Sequence, residues 1–350
     1  NPLLLSQRIR NQRITSTSRT STALKQHNND NNKATMAKQT QEDDSSGGGD
    51  DDDSLGARWA PSPERHAGRL GLTVAEVRAQ KEAHYQASRD LQSYIRTLPK
   101  HEGKQKHQLV CQFKYNNGKY PFVCKQCWTY QPICLCGEIE TKLDLPERVE
   151  RICLWTHHRE WGSISNTGSL LPIILKNTKL FMKGLAEHDE EMEAIISTRN
   201  SANSDHKVVV LWPDNDSRQD KAPDENRISW QELLESTASN DSMTLLVLEG
   251  TWRTARRMAA KLPPEVIKVA LPHEQFFWKS HREEKSVLNP MRRQRGEEFS
   301  KDNVCTAEAT AAALVSLGMD LEDGQKILDL VATKVERTRR YQGRPITFRD

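Results

Sequence analysis

The 350-residue chain contains no apolar run near the roughly 18 residues that cross a bilayer as a helix, which excludes a helical membrane span and makes a membrane partner unexpected. Apolar residues are scarce throughout: 35% of the chain is hydrophobic and 6% aromatic, with a mean hydropathy of −0.78. So little apolar material predicts one globular domain with polar tails. An excess of one charge is also missing. With 51 basic against 48 acidic residues the net charge is +3, so a nucleic-acid partner has to be argued from local clusters. No internal repeat is visible. Cysteine is sparse outside one cluster, with Cys111, Cys153 and Cys305 scattered, which points to a reducing compartment and a metal over disulfides.

Residues 1–56 are dominated by Ser, Thr, Asn and Gln and close on an acidic, glycine-rich run from Gln41 through Asp53 to Gly56. Such a segment buries too little apolar surface to offset its ordering entropy and is expected to be disordered. Its first part carries Arg8, Arg10, Arg13, Arg19 and Lys25 against one acid, Asp30, as organellar transit peptides do. Both a targeting leader and an unstructured extension fit, and Met36 is a candidate start. The expected location is the cytoplasm or nucleus, or an organelle if the segment is a leader.

Residues 57–106 are expected to form a helical extension, and 107–345 the main domain. In the extension, Leu91, Tyr94, Ile95 and Leu98 recur at helical spacing in a run from Val74 to Leu98 without Gly or Pro, which predicts an amphipathic helix packed on the domain or contacting RNA. Short Val/Ile/Leu-rich runs follow at Arg151–Trp155, Lys207–Trp212, Thr244–Leu248 and Ile267–Leu271. The chain between them is long enough for helices, the pattern of an α/β domain with a mostly parallel sheet. Trp252–Lys261, Thr306–Leu317 and Leu321–Arg340 read as helices, the last with Ile327, Leu328, Val331 and Val335 as its buried stripe. Ala186–Asn203 and Asp214–Asn226 are polar and read as loops or insertions.

Cys124, Cys127, Cys134 and Cys136 form C-x2-C-x6-C-x-C within 122–138. Four thiolates this close suit tetrahedral Zn2+ and leave no open position for water, so the role would be structural. An iron–sulfur cluster and reduced cysteines without metal are the other readings. Lys125, Trp128 and Tyr130 lie in the same loop, where the aromatics would either stack on single-stranded nucleic acid or cover the metal site.

Three blocks follow in order: Thr156-His157-His158-Arg159-Glu160-Trp161 ahead of Asn166-Thr167-Gly168; Leu248-Glu249-Gly250-Thr251-Trp252-Arg253; and Cys305-Thr306-Ala307-Glu308-Ala309. Together with the cysteine cluster they resemble the DTW family, whose pattern is C-x2-C and C-x-C, then H-P-x-E and N-T-G, then D-x-T-W, then T-x-E-A. The resemblance runs from about Phe122 to Leu317. Here His158 stands in place of the usual Pro, and Glu249 in place of Asp. The resemblance implies a SPOUT-like knotted α/β fold with flanking helices and an N-terminal four-cysteine zinc knuckle. It also implies transfer of the 3-amino-3-carboxypropyl group of S-adenosylmethionine to N3 of a tRNA uridine. An S-adenosylmethionine-dependent RNA methyltransferase and a non-catalytic zinc-stabilised RNA-binding protein are the competing readings.

Uridine N3 keeps its proton at neutral pH, so such a transfer needs a positioned base. Glu249, at a strand's end where α/β sheets place ligands, is the candidate; the alternative is a carboxylate bonded to the amides of a turn. Asn166, Thr167, Gly168, Gly250, Thr251, Trp252, Thr306 and Glu308 are the candidate donor-binding residues, although Thr251 also suits an N-cap and Glu308 the first turn of a helix. Arg253, Arg256, Arg257 and Lys261 form one basic patch. Lys279, Arg282, Arg292, Arg293 and Arg295 form another, interleaved with Phe276, Phe277 and Trp278; both suit phosphate contact with tRNA.

Overall fold

The computed structural model describes residues 61–199, 206–212, 227–236, 242–272, 275–276, 286–288 and 304–343. The segment 1–56, the stretch Asp214–Asn226 and the basic stretch holding Arg292 and Arg293 lie outside them.

Among the described residues the first elements are three helices, α1 (Pro63–Leu70), α2 (Val74–Thr97) and α3 (Gly103–Asn117). The amphipathic run is therefore a helix, begun by a capping box in which Thr73 and Glu76 satisfy each other's backbone amides. Of its stripe Leu91, Ile95 and Leu98 are half-buried and Tyr94 is exposed, and the helix packs on α1 and α3. The cysteine knuckle lies between α3 and the sheet, at residues 124–136, so it is not N-terminal in the chain: among the described residues α1, α2 and α3 precede it.

The sheet comprises β1 (Val149–His157), β2 (Thr178–Lys183), β3 (His206–Trp212), β4 (Arg227–Ser229), β5 (Ser242–Glu249) and β6 (Ile267–Ala270). Its order is β2-β1-β5-β3-β6-β4, and every pairing is parallel. Among the described residues, the helices between and after the strands are α4 (Leu171–Ile174), α5 (Ala186–Arg199), α6 (Trp230–Ser236), α7 (Trp252–Ala259), α8 (Thr306–Ser316) and α9 (Leu321–Tyr341).

Alternation along the strands builds two apolar layers. Leu154, Leu245 and Val247 join Ala311, Leu314, Ile327, Leu328, Val331 and Val335 of α8 and α9 in the larger core. On the other face Cys153, Trp155 and Leu246 meet Met192 and Ile196 of α5 and Met258 and Ala259 of α7. The expected stripe of the last helix is thus fully used.

Where a loop was expected from Ala186, the chain instead forms α5. That helix is acid-rich, and of its apolar side chains it buries only Met192 and Ile196, a pair one turn apart, too narrow a stripe to stand out by periodicity. β2 was also not apparent in the sequence. It is an edge strand flanked by lysines, and of its side chains only Phe181 and Met182 are buried.

Candidate active site and metal centre

The parallel order has a consequence for ligand binding. From β1 the chain passes to β2 on one side, whereas from β5 it passes beyond β3 to β6 on the other. The C-terminal ends of β1 and β5 therefore flank a switch point, the crevice where open α/β sheets bind ligands. Thr156 and Glu249 are register partners there.

Glu249 is almost fully buried. Its Oε2 accepts the Asn166 amide at 3.0 Å and its Oε1 accepts the Gly168 main-chain N–H at 3.1 Å. A Cβ on Gly168 would collide with this carboxylate and with Leu154, so glycine is required for the turn to approach so closely. Burial pushes the Glu249 carboxyl up to about 7, outweighing the lowering influence of the Thr306 hydroxyl, the Gly168 amide and Lys334, with Glu160 adding a further rise. Beside it, the buried Thr156 hydroxyl has no hydrogen-bond partner among the described residues.

The third block closes on the same turn. The Ala307 N–H donates to the Thr167 hydroxyl at 3.3 Å, which fixes the start of α8 against the Asn166–Gly168 turn. Glu308 is committed elsewhere. Its carboxylate accepts the Cys305 amide, the Val287 amide and the Ser286 hydroxyl, each at 2.6 Å, so it caps α8 and anchors residues 286–288. Gly250 leads into α7, where Thr251 caps the helix by accepting the Thr254 amide at 3.4 Å. Trp252 is the first residue of α7, and its side chain lies outside the described residues. Arg253 and Arg257 are exposed and Arg256 half-buried, all on the helix that starts beside Glu249.

Sequence reasoning missed Lys334. It sits in α9, one turn beyond Val331 on the buried stripe, and is fully enclosed. Its Nζ donates to the Asn166 carbonyl at 2.7 Å, the Cys127 carbonyl at 2.8 Å and the Ser169 hydroxyl at 3.1 Å. These acceptors use all three protons of the ammonium. Burial draws its pKa down to about 8, while Cys127 and Glu249 oppose the fall. The signal in the sequence was a lysine at a position the helical period assigns to the core.

The four cysteines converge. Their sulfurs all lie within 4.8 Å of one another, and the Cys124–Cys136 and Cys127–Cys134 pairs are each 3.7 Å apart. Tetrahedral zinc with bonds of about 2.3 Å sets its sulfurs about 3.8 Å apart, so the cage fits that ion and is far too open for disulfides. Burial raises the Cys127 thiol, but hydrogen bonding, led by the Thr129 hydroxyl, pulls it down to about 7, favouring the thiolate a metal needs. The knuckle closes through Trp128, which takes a left-handed φ of 53° and donates its main-chain N–H to the Cys124 carbonyl at 3.1 Å. Trp128 is buried against Trp161, with ring centres 5.1 Å apart, and Tyr130 is buried near Tyr341 and His66. Both aromatics therefore belong to the core around the knuckle and are not presented to a base.

A family model described as DTW domain matches residues 121–339. No solved structure matches the chain.

Proposed function

Since the chain belongs to the DTW-domain family, we propose that it transfers the 3-amino-3-carboxypropyl group of S-adenosylmethionine to N3 of a uridine in tRNA. The observation that carries this reading is the meeting of Asn166–Gly168, Glu249 and Thr306 at the β1/β5 switch point, around a carboxyl held at about 7. A base with that pKa is matched to proton removal at neutral pH.

The donor supplies an electrophilic carbon bonded to its sulfonium and departs as neutral methylthioadenosine, so no acid is needed. Glu249 takes the N3 proton while the N3 lone pair forms the new C–N bond. Asn166 and the Gly168 amide aim the carboxylate and keep part of its charge stabilised in a buried site. The unpartnered Thr156 hydroxyl and the polar turn of Asn166, Thr167 and Gly168 supply hydrogen-bonding groups of the kind a polar donor requires. Gly250, Thr251 and Trp252, which follow Glu249 directly in the chain, are assigned to the donor as well. Arg253, Arg256 and Arg257, with Arg292 and Arg293, are assigned to the tRNA backbone.

The four-cysteine cage is assigned to structural zinc, held by Cys124, Cys127, Cys134 and Cys136. The fold is assigned to the SPOUT-like knotted class on the family resemblance; the uniformly parallel sheet supports the α/β part of that assignment. Incubation of the protein with unmodified tRNA and S-adenosylmethionine, followed by mass analysis of nucleosides, tests the activity.

A further inference from the structure

A second cluster of metal-ligating side chains lies apart from the cysteine cage. His107 and Cys111 are one turn apart on α3, so they share a face of that helix. His158 follows the last residue of β1. His107 Nε2 is 3.1 Å from His158 Nδ1 and 3.8 Å from Cys111 Sγ, and the three ligand atoms all lie within 4.8 Å of one another. Around zinc, with bonds of about 2.0–2.1 Å to nitrogen and 2.3 Å to sulfur, a tetrahedral angle places nitrogens about 3.3 Å apart and nitrogen about 3.6 Å from sulfur. His107 Nε2 thus lies from both partners at distances close to those around a shared ion, and Cys111 Sγ is nearly as close to His107 Nδ1, at 4.0 Å.

The surroundings are shaped to this cluster. Gly184 follows β2 at a φ of 93°, and a Cβ there would run into both His107 and Cys111. Asp189 holds the Gly184 amide at 3.1 and 3.0 Å, which keeps the backbone pressed against the site. Cys111 is fully buried, while His107 is exposed and leaves the cluster open to solvent on one side.

We propose that His107, Cys111 and His158 form a second metal site, which takes a zinc-like divalent ion through two imidazoles and one thiolate and clips α3 to the C-terminal ends of β1 and β2. Cys111 loses its thiol proton to solvent as the metal–sulfur bond forms. Three protein ligands leave a fourth position for water or an external donor, unlike the closed four-sulfur cage.

The test is zinc content and zinc X-ray absorption on the full chain, dialysed against buffered zinc. The parent should hold about two zinc per chain with a mixed nitrogen and sulfur shell; His107→Ala should hold about one, with sulfur only. His107→Cys should restore the second ion. His107 is exposed, so these substitutions leave the core intact, and matching melting curves check this. A parent with about one zinc in an all-sulfur shell overturns the proposal, as does a His107→Ala protein that keeps the second zinc and its nitrogen ligands. The parent measurement alone decides the matter if a variant does not fold.

Discussion

The ammonium of Lys334 donates to the main-chain carbonyl of Cys127 at 2.8 Å, joining the last helix of the domain to the cysteine cage. The same nitrogen reaches the Asn166 carbonyl at 2.7 Å, and Asn166 in turn donates to Glu249. Cysteine cage, motif turn and buried carboxylate are therefore one hydrogen-bonded assembly.

Lys334→Met keeps the length of the side chain but leaves buried acceptors without donors. It should cost roughly 3–5 kcal/mol, the scale for breaking a buried charged network, and loosen the turn that holds Glu249. Chemical denaturation of parent and variant measures this. A loss below about 1 kcal/mol would show that the three bonds contribute little net stability.

Removing any of the cage thiols should release the metal. The parent should retain zinc in the cage, and Cys127→Ser or Cys134→Ser should lower zinc content and melt earlier, because four thiolates complete the coordination shell. A metal-free parent that folds at normal yield would contradict the structural role.

Four of the six strands, the last helix and the convergence of the four cysteines were legible in the sequence because each rests on a local pattern: branched apolar runs for β1, β3, β5 and β6, a long stripe for α9, and close cysteine spacing for the cage. What escaped depends on contacts distant in sequence. Lys334 looks like one more surface lysine until α9 is placed against residues from Cys127 and Asn166. Thr156 gains meaning only from its register with Glu249. The Glu249 carboxylate was open to two readings, base or turn acceptor. The geometry shows the turn bonds, and burial holds its pKa in the range a base needs.

Neutralising Arg253, Arg256 and Arg257 together should weaken binding to all tRNA sequences alike and flatten its salt dependence, with Arg292 and Arg293 adding to the effect. Filter binding at several salt concentrations measures both. Unchanged slopes would move the RNA footprint off α7.

Glu249 should leave a pH signature in stability as well as in rate. Its folded pKa of about 7 exceeds the ordinary 4.5, so the folded state keeps a proton that the unfolded chain releases. The stability it contributes is fully present below about pH 4.5 and is lost as pH rises through about 7. Glu249→Gln should remove that part of the pH dependence, seen in denaturation midpoints at about pH 5 and about pH 8. Turnover should rise through the same range in the parent. The Gln variant should lose about 10²-fold at neutral pH and recover in part as free N3 ionises at higher pH, while Glu249→Asp should be tolerated better. A Gln variant that turns over like the parent at neutral pH would return Glu249 to a purely structural role.

The proposed transfer is tested most directly by what leaves the donor. When the protein is incubated with unmodified tRNA and S-adenosylmethionine, methylthioadenosine should appear in solution and, in the digested tRNA, a uridine enlarged by an aminocarboxypropyl group. Release of S-adenosylhomocysteine with a methylated nucleoside, or tRNA binding with no turnover of the donor, would contradict it.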